Sequence, residues 1–372
     1  MRKLFILFLI FTAVLMFQGC EKDILPELSP AQAAAADTLG IDPDILKDLL
    51  ARPLYSFKPS EIDLYLPYVH YTMPDLRDRI KHLARKNLGQ PYEIYLLGEY
   101  PAELYDPLPM YALDRSDCVV FCEHIMAMAH AHDWQEFFAI LQRIRYRDGI
   151  ISYTTRNHYG EYDWPRSNDW LAENISRQLA GDCAATDTIQ INKSRFFRNK
   201  GIPYTVPEDS LIWHYVPIEI MPDVLEHLQT GDIVNVVRGY KNHNWVGHYG
   251  FVMVDPDGSV NFLHSTSPKV IEQSFPELLE RLQASNLNGE MENAEIEGRN
   301  EAIRIYNENN EEQLPYENYK TMTRGYGFLR PRDNALEQIM KDGQVLRLQV
   351  VPVSPDAVNI SKRDSILKCL QP

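Results

Sequence analysis

The stretch LDRSDCVVFCEHIMAMAHAH, from Leu113 to His132, opens with turn-forming residues and then becomes apolar with helical periodicity. It predicts a helix from Asp117 to about His132, with Cys118 in the first turn. That placement carries chemistry. The start of a helix presents unpaired backbone N–H groups and a partial positive charge, which favour a thiolate over a thiol. Cys118 is therefore a candidate nucleophile. It needs a base within hydrogen-bond reach and a further group to orient that base.

The segment HYGFVMVDPDGSVNFLHSTS supplies both. It reads as a β-hairpin, and Asp255–Gly258 suits a type I turn with Gly258 in a left-handed bulge. This turn pairs Asp255 with Ser259, so residues of equal parity on the two strands share a face. His248 and His264 then lie on one face as diagonal neighbours, within side-chain reach. A two-residue loop would put them on opposite faces. Cys118, His248 and His264 fit the roles of nucleophile, base and orienting group, and backbone N–H groups at the helix start would serve the oxyanion.

The other helical histidines offer weaker chemistry. His124, His130 and His132 share the Cys118 helix, but His130 falls elsewhere on the wheel and no HExxH motif accompanies them. No metal and no cofactor is expected. Cys122, one turn beyond Cys118, reads as a packing residue. The formal charge of −15 over 372 residues argues against nucleic acid as a partner. Five cysteines are too few for a disulfide scaffold.

The N-terminus sets an expected compartment. Arg2 and Lys3 precede an apolar run from Leu4 to Phe17, which is too short to span a membrane and reads as a secretory signal. Its ending, FQGC, resembles a bacterial lipoprotein signal in which Cys20 is lipidated, although Phe17 departs from the usual leucine. The expectation is an exported lipoprotein of the bacterial cell envelope, on the periplasmic side of a membrane or at the cell surface. The membrane is contacted through the N-terminal lipid alone.

Along the chain, residues 1–19 form the signal and 20–65 a tether with one helix, Pro43–Ala51, capped by Asp42. A catalytic domain is expected over 66–333 and an extension over 334–372. Met73–Leu88 reads as an amphipathic helix and Asp133–Arg143 as another. The aromatic segment from Arg145 to about Leu171 reads as a binding loop. Residues 275–319 look like an acidic surface insertion with a helix near Glu277–Ala284. Strands are expected at Gly231–Tyr240, Gly325–Asp333 and Val345–Val353, with a helix at Ala335–Met340.

Taken together, DC before an apolar helix, H-x-G at a strand start and a histidine after a hairpin resemble the NlpC-type papain-like cell-wall hydrolases. LGQPY (Leu88–Tyr92) is similar to the segment those proteins carry before their nucleophile helix. The N-acetylmuramoyl-L-alanine amidase-like branch is closer. The resemblance covers about residues 75–333, at DCVVFCE, RYRDG, RNHYGEYDW, GDIV, GHYGFV and LHSTS. It implies an α+β fold in which the Cys118 helix packs on an antiparallel sheet bearing His248 and His264, with N-terminal helices and insertions added. It also implies hydrolysis of the amide between N-acetylmuramic acid and L-alanine in peptidoglycan or muropeptide fragments. Asp117, Arg156, His158 and Tyr159 become substrate-contact candidates. For Asp117 the alternative is capping the helix, and for Arg156 it is pinning the loop together with Asp163. EYDWPRSNDWL and the acidic insertion depart from the family pattern.

Three other readings stand beside this one. A related endopeptidase would cut the γ-D-glutamyl bond to the diamino acid. A zinc amidase would need three protein ligands. A non-catalytic envelope module would bind muropeptide without cleaving it.

Overall fold

The computed structural model describes residues 25–341, apart from residue 242, together with residue 346. The expected signal, Cys20 and, save Leu346, the strand at Val345–Val353 lie outside the described residues.

Six helices come first: α1 (Pro30–Leu39), α2 (Pro43–Ala51), α3 (Pro59–Thr72), α4 (Leu76–Arg85), α5 (Cys118–His130) and α6 (Trp134–Arg145). Their starts follow from local chemistry. Asp42, Asp75, Asp117 and Asp133 each accept a backbone N–H in the first turn, and Pro43 occupies the first helical position of α2. The helix expected from Met73 begins instead at Leu76. Asp75 supplies the cap, which leaves Pro74 outside. Residues 20–65 hold more than a tether and one helix. Ala35, Leu46 and Tyr65 are buried in the same core as α5, and α3 runs through the expected boundary at residue 65.

The sheet is antiparallel throughout. Its strands are β1 (Ala172–Asn174), β2 (Ala185–Ile191), β3 (Asp209–Pro217), β4 (Ile233–Tyr240), β5 (His243–Val254), β6 (Val260–Thr266), β7 (Lys269–Ser274) and β8 (Met322–Pro331). Their order is β2-β3-β8-β4-β5-β6-β7, with β1 pairing to β8. The strand expected from Gly325 thus lies between β3 and β4. Short helices α7 (Asp163–Ser167), α8 (Ser176–Ala180), α9 (Lys193–Asn199) and α10 (Met221–Val224) punctuate the connections. The acidic insertion differs most from expectation. It is one 35-residue helix, α11 (Phe275–Asn309), followed after β8 by α12 (Ala335–Lys341).

Two cores sandwich the sheet. On one face α5 packs against β5, with Phe121 edge-on to Phe251 at 5.9 Å between ring centroids. Removing each such ring from water contributes roughly 1.5–3 kcal/mol. On the other face Val234, Val236, Val252 and Phe262 pack with Phe275 and Leu279 at the start of α11. Among the described residues, no helix is long and apolar enough to cross a membrane.

Candidate active site

The hairpin adopts the register that the turn chemistry predicts. Phe251 pairs with Leu263 and Val254 with Val260, Asp255 and Ser259 close the turn, and Gly258 has φ of +85°. His248 and His264 consequently share a face, and His248 Nε2 lies 2.6 Å from His264 Nδ1. Gly250 makes this contact possible. A side chain there would meet the Phe262 ring and His264 Cβ within 2.8 Å, so only glycine lets the His264 side chain lie across β5. Phe262 stacks on the His264 ring at 4.3 Å. A further partner was not expected: Gln273 Nε2 lies 2.8 Å from His264 Nε2. The sequence signal was the tight β6–β7 connection at Ser267–Pro268, which pairs Phe262 with Gln273 and puts Gln273 beside His264.

The imidazoles face the second core, whereas α5 packs on the opposite face of β5. Cys118 approaches the sheet at Tyr249, the residue after His248. The β5–β6 ladder reaches only Phe251 and Leu263. Beyond it, Ser265 Oγ donates to the Ser116 carbonyl at 3.0 Å, which seats the start of α5 in the gap. There the backbone N–H of Tyr249 lies close enough to the Cys118 sulfur to favour its thiolate. Tyr249 is fixed in turn from the aromatic segment. Its hydroxyl donates to the Gly160 carbonyl at 2.9 Å, and any Cβ at position 160 would strike the Tyr249 ring.

The helix start does not leave Cys118 as a resting thiolate. Burial, and then the Asp117 charge, push its pKa up to about 12. Opposing N–H donation from Tyr249, Val119 and Cys118 itself is the smaller effect. Burial, followed by His264 and Arg238, lowers His248 to about 3, and burial lowers His264 to about 4. At neutral pH the site holds a thiol and two neutral imidazoles. Tyr92 of LGQPY is a second unexpected member of the site. Burial raises its hydroxyl to about 12 and a Cys118 thiolate would raise it further, so the hydroxyl lies near the sulfur.

Asp117 caps α5, accepting from the N–H groups of Val119 and Val120 at 3.0 and 2.8 Å. Asp117→Asn keeps that acceptor and removes the charge beside the sulfur. Iodoacetamide should then label Cys118 faster at fixed pH, as read by peptide mapping, while the melting temperature hardly moves. An unchanged labelling rate would remove Asp117 as a determinant of thiol acidity.

Arg156 and His158 are committed to the protein itself. Arg156 binds both Glu99 oxygens at 2.6 Å and Asp106 at 2.7 Å, beneath the segment. His158 Nε2 bonds the Tyr153 carbonyl at 2.7 Å, and its ring packs on Phe196. Asp163 pins the loop with other partners, Lys193 and the His158 N–H. Tyr159 is half-buried and packs against Phe196. Tyr162 and Asp163 line a cleft of about 960 Å³, which neither Cys118 nor His248 lines. His124 and His130 bond carbonyls of their own helix, and His132 pairs with Glu136, so the three do not converge.

The match to known proteins starts inside α4 and ends inside α11. The model of the AmiA-like, N-acetylmuramoyl-L-alanine amidase-like family fits residues 82–285, more than half of the chain. The chain belongs to this amidase-like family. Every residue of the site described above falls within the matched region of this amidase-like protein. Among curated proteins none matches. A solved Legionella pneumophila protein, LPG0564 of the DUF1460 family, is 17% identical over 73% of this chain and 95% of its own, with a TM-score of 0.55, which shows a shared fold. An N-acetylmuramoyl-L-alanine amidase from Bacteroides uniformis is 20% identical, covering 69% of this chain and 99% of its own, with a TM-score of 0.48.

Proposed function

We propose that this protein hydrolyses the amide joining N-acetylmuramic acid to L-alanine in peptidoglycan or its fragments, with Cys118 as nucleophile. The observation that carries this is the separation of β5 from β6 beyond Phe251 and Leu263. The first residue of α5 reaches the strand at Tyr249, one residue from a histidine pair, within a chain of the amidase-like family. The arrangement fits a papain-like, NlpC-type core.

Because thiol and imidazole are both neutral at rest, proton transfer accompanies attack. His248 takes the Cys118 proton as sulfur bonds to the lactyl carbonyl carbon. The carbon–nitrogen bond then breaks, and the L-alanine nitrogen leaves with the proton from His248. Water, deprotonated by His248, cleaves the thioester, returning the thiol and releasing the muramoyl carboxylate. The Tyr92 hydroxyl and the Cys118 backbone N–H would donate to the oxyanion, since Asp117 takes the N–H groups of Val119 and Val120. His264 orients the base. We further propose that the chain is exported and anchored through lipid on Cys20.

Mass spectrometry of defined muropeptides after digestion tests the reading. Expected products are an intact stem peptide with a free L-alanine amine and the matching glycan acid. A stem cut after γ-D-glutamate would replace the amidase by the endopeptidase. Uncut muropeptide that still binds would leave a binding module.

A further inference from the structure

The hydrogen-bond chain does not stop at Gln273. Its Oε1 lies 2.6 Å from an Arg281 guanidinium nitrogen on α11, while its other amide atom lies 2.8 Å from His264 Nε2. This fixes the direction of every proton behind it. A guanidinium only donates, so the amide atom facing Arg281 is the oxygen and the one facing His264 is the NH2 group. His264 Nε2 must then accept. The ring is neutral, so its single proton sits on Nδ1 and is donated to His248 Nε2, 2.6 Å away. With its Nε2 accepting, a neutral His248 carries its own proton on Nδ1. That is the nitrogen left to act as a base.

We propose that Arg281, acting through Gln273, holds the catalytic histidine in the non-basic tautomer, so that α11 keeps the resting site off. The catalytic consequence rests on the cysteine–histidine reading above; the proton pattern does not. Reversal requires the Gln273 amide to rotate and offer its oxygen to His264. The shared proton then crosses from His264 Nδ1 to His248 Nε2. The proton on His248 Nδ1 leaves to water and His264 Nε2 takes one from water, so the total is unchanged. His248 Nδ1 is then free to receive the thiol proton, and His264 becomes its acceptor. Arg281 is exposed, so an anionic group can compete for it from solvent. A carboxylate on the substrate's stem peptide is such a group. Occupation of Arg281 would release Gln273 only when substrate has arrived.

Nitrogen-15 NMR of histidine-labelled full-length protein tests this without turnover, because protonated and bare ring nitrogens differ widely in chemical shift. In the unmodified protein both His248 and His264 should carry their proton on Nδ1. In Arg281→Met both should shift to the Nε2-protonated form, and Gln273→Glu, which presents only acceptors to His264, should do the same. In parallel, kcat of Arg281→Met on a muropeptide should rise roughly tenfold, as expected when a conformer populated about one part in ten becomes dominant. Nε2-protonated His248 in the unmodified protein, an unchanged pattern in both variants, or a fall in kcat for Arg281→Met with KM preserved would overturn the proposal. Should no muropeptide be cleaved by any form, the functional reading fails, and the tautomer pattern alone still decides the relay.

Discussion

Cys118→Ala is expected to release no measurable stem peptide from a muropeptide that the unmodified protein cleaves. Removing the attacking atom eliminates the thioester route, and losses of about 10³–10⁶ are usual when a nucleophile is deleted from such a unit. The substitution deletes one sulfur at the first helical position and leaves the Asp117 cap in place. Folding and substrate binding should therefore survive, and binding to Cys118→Ala can be measured by calorimetry. His248→Gln should cost nearly as much in rate. The double variant should be little worse than either single one, because nucleophile and base act as a unit. Iodoacetamide should abolish activity through Cys118, whereas a strong chelator should leave it intact. Turnover that persists in Cys118→Ala, or that vanishes on chelation, would sink the cysteine mechanism and reopen metal chemistry.

The parts of this site that were legible in sequence are those set by local rules. Asp117 before an apolar run gives a cap and a first-turn cysteine. Asp255–Gly258 gives a turn, the turn gives a register, and the register gives a same-face histidine pair. What was not legible depends on long-range packing. Arg281 joins the relay only because α11 starts beside β7, and Gln273 only through the register that the Ser267–Pro268 connection sets between β6 and β7. Nothing in their immediate sequence distinguishes them from solvent-facing polar residues. The thiol's acidity failed for a similar reason. The helix terminus does supply N–H donors, but burial, the largest influence on the Cys118 pKa, is invisible in a local window. The length of α11 was missed because its sequence is polar and asparagine-rich, with few buried positions to mark a period. Phe275, Leu279, Ile296 and Asn300 are its buried residues.

The aromatic segment shows the same division, and it supplies the largest expected effect on stability. RYRDG and RNHYGEYDW read as binding sequence because they are rich in arginine, asparagine and aromatic rings. In the fold much of that chemistry is turned inward. Arg145 at the end of α6 pairs with Glu123 of α5 at 3.0 Å, both groups being buried, and the Trp164 indole N–H donates to the other Glu123 oxygen at 3.0 Å. Asn157 and Asn168 side chains both donate to the Ile144 carbonyl, closing the C-terminal end of α6 onto the segment. Arg145→Met would keep most of the side-chain volume but strand the Glu123 carboxylate away from water. Breaking one side of a buried pair costs about 3–5 kcal/mol. The urea midpoint of the variant should fall accordingly.

The pH dependence separates this cause from simple loss of packing. Burial already raises the Glu123 pKa, opposed by Arg145 and Trp164. Without Arg145 it rises further, so the native state holds a proton that the unfolded chain has released. A carboxylate of that kind contributes stability below its unfolded pKa and loses it as pH climbs through the folded value. The variant's deficit should therefore be smallest at and below about pH 4, where an unfolded glutamate keeps its proton, and widen toward neutrality. Adding Glu123→Met to Arg145→Met should recover much of the loss, since two apolar groups of similar volume leave no stranded charge. A double variant as unstable as Arg145→Met, with a deficit flat in pH, would mean that the α5–α6 contact depends on the shape of Arg145 rather than on its charge.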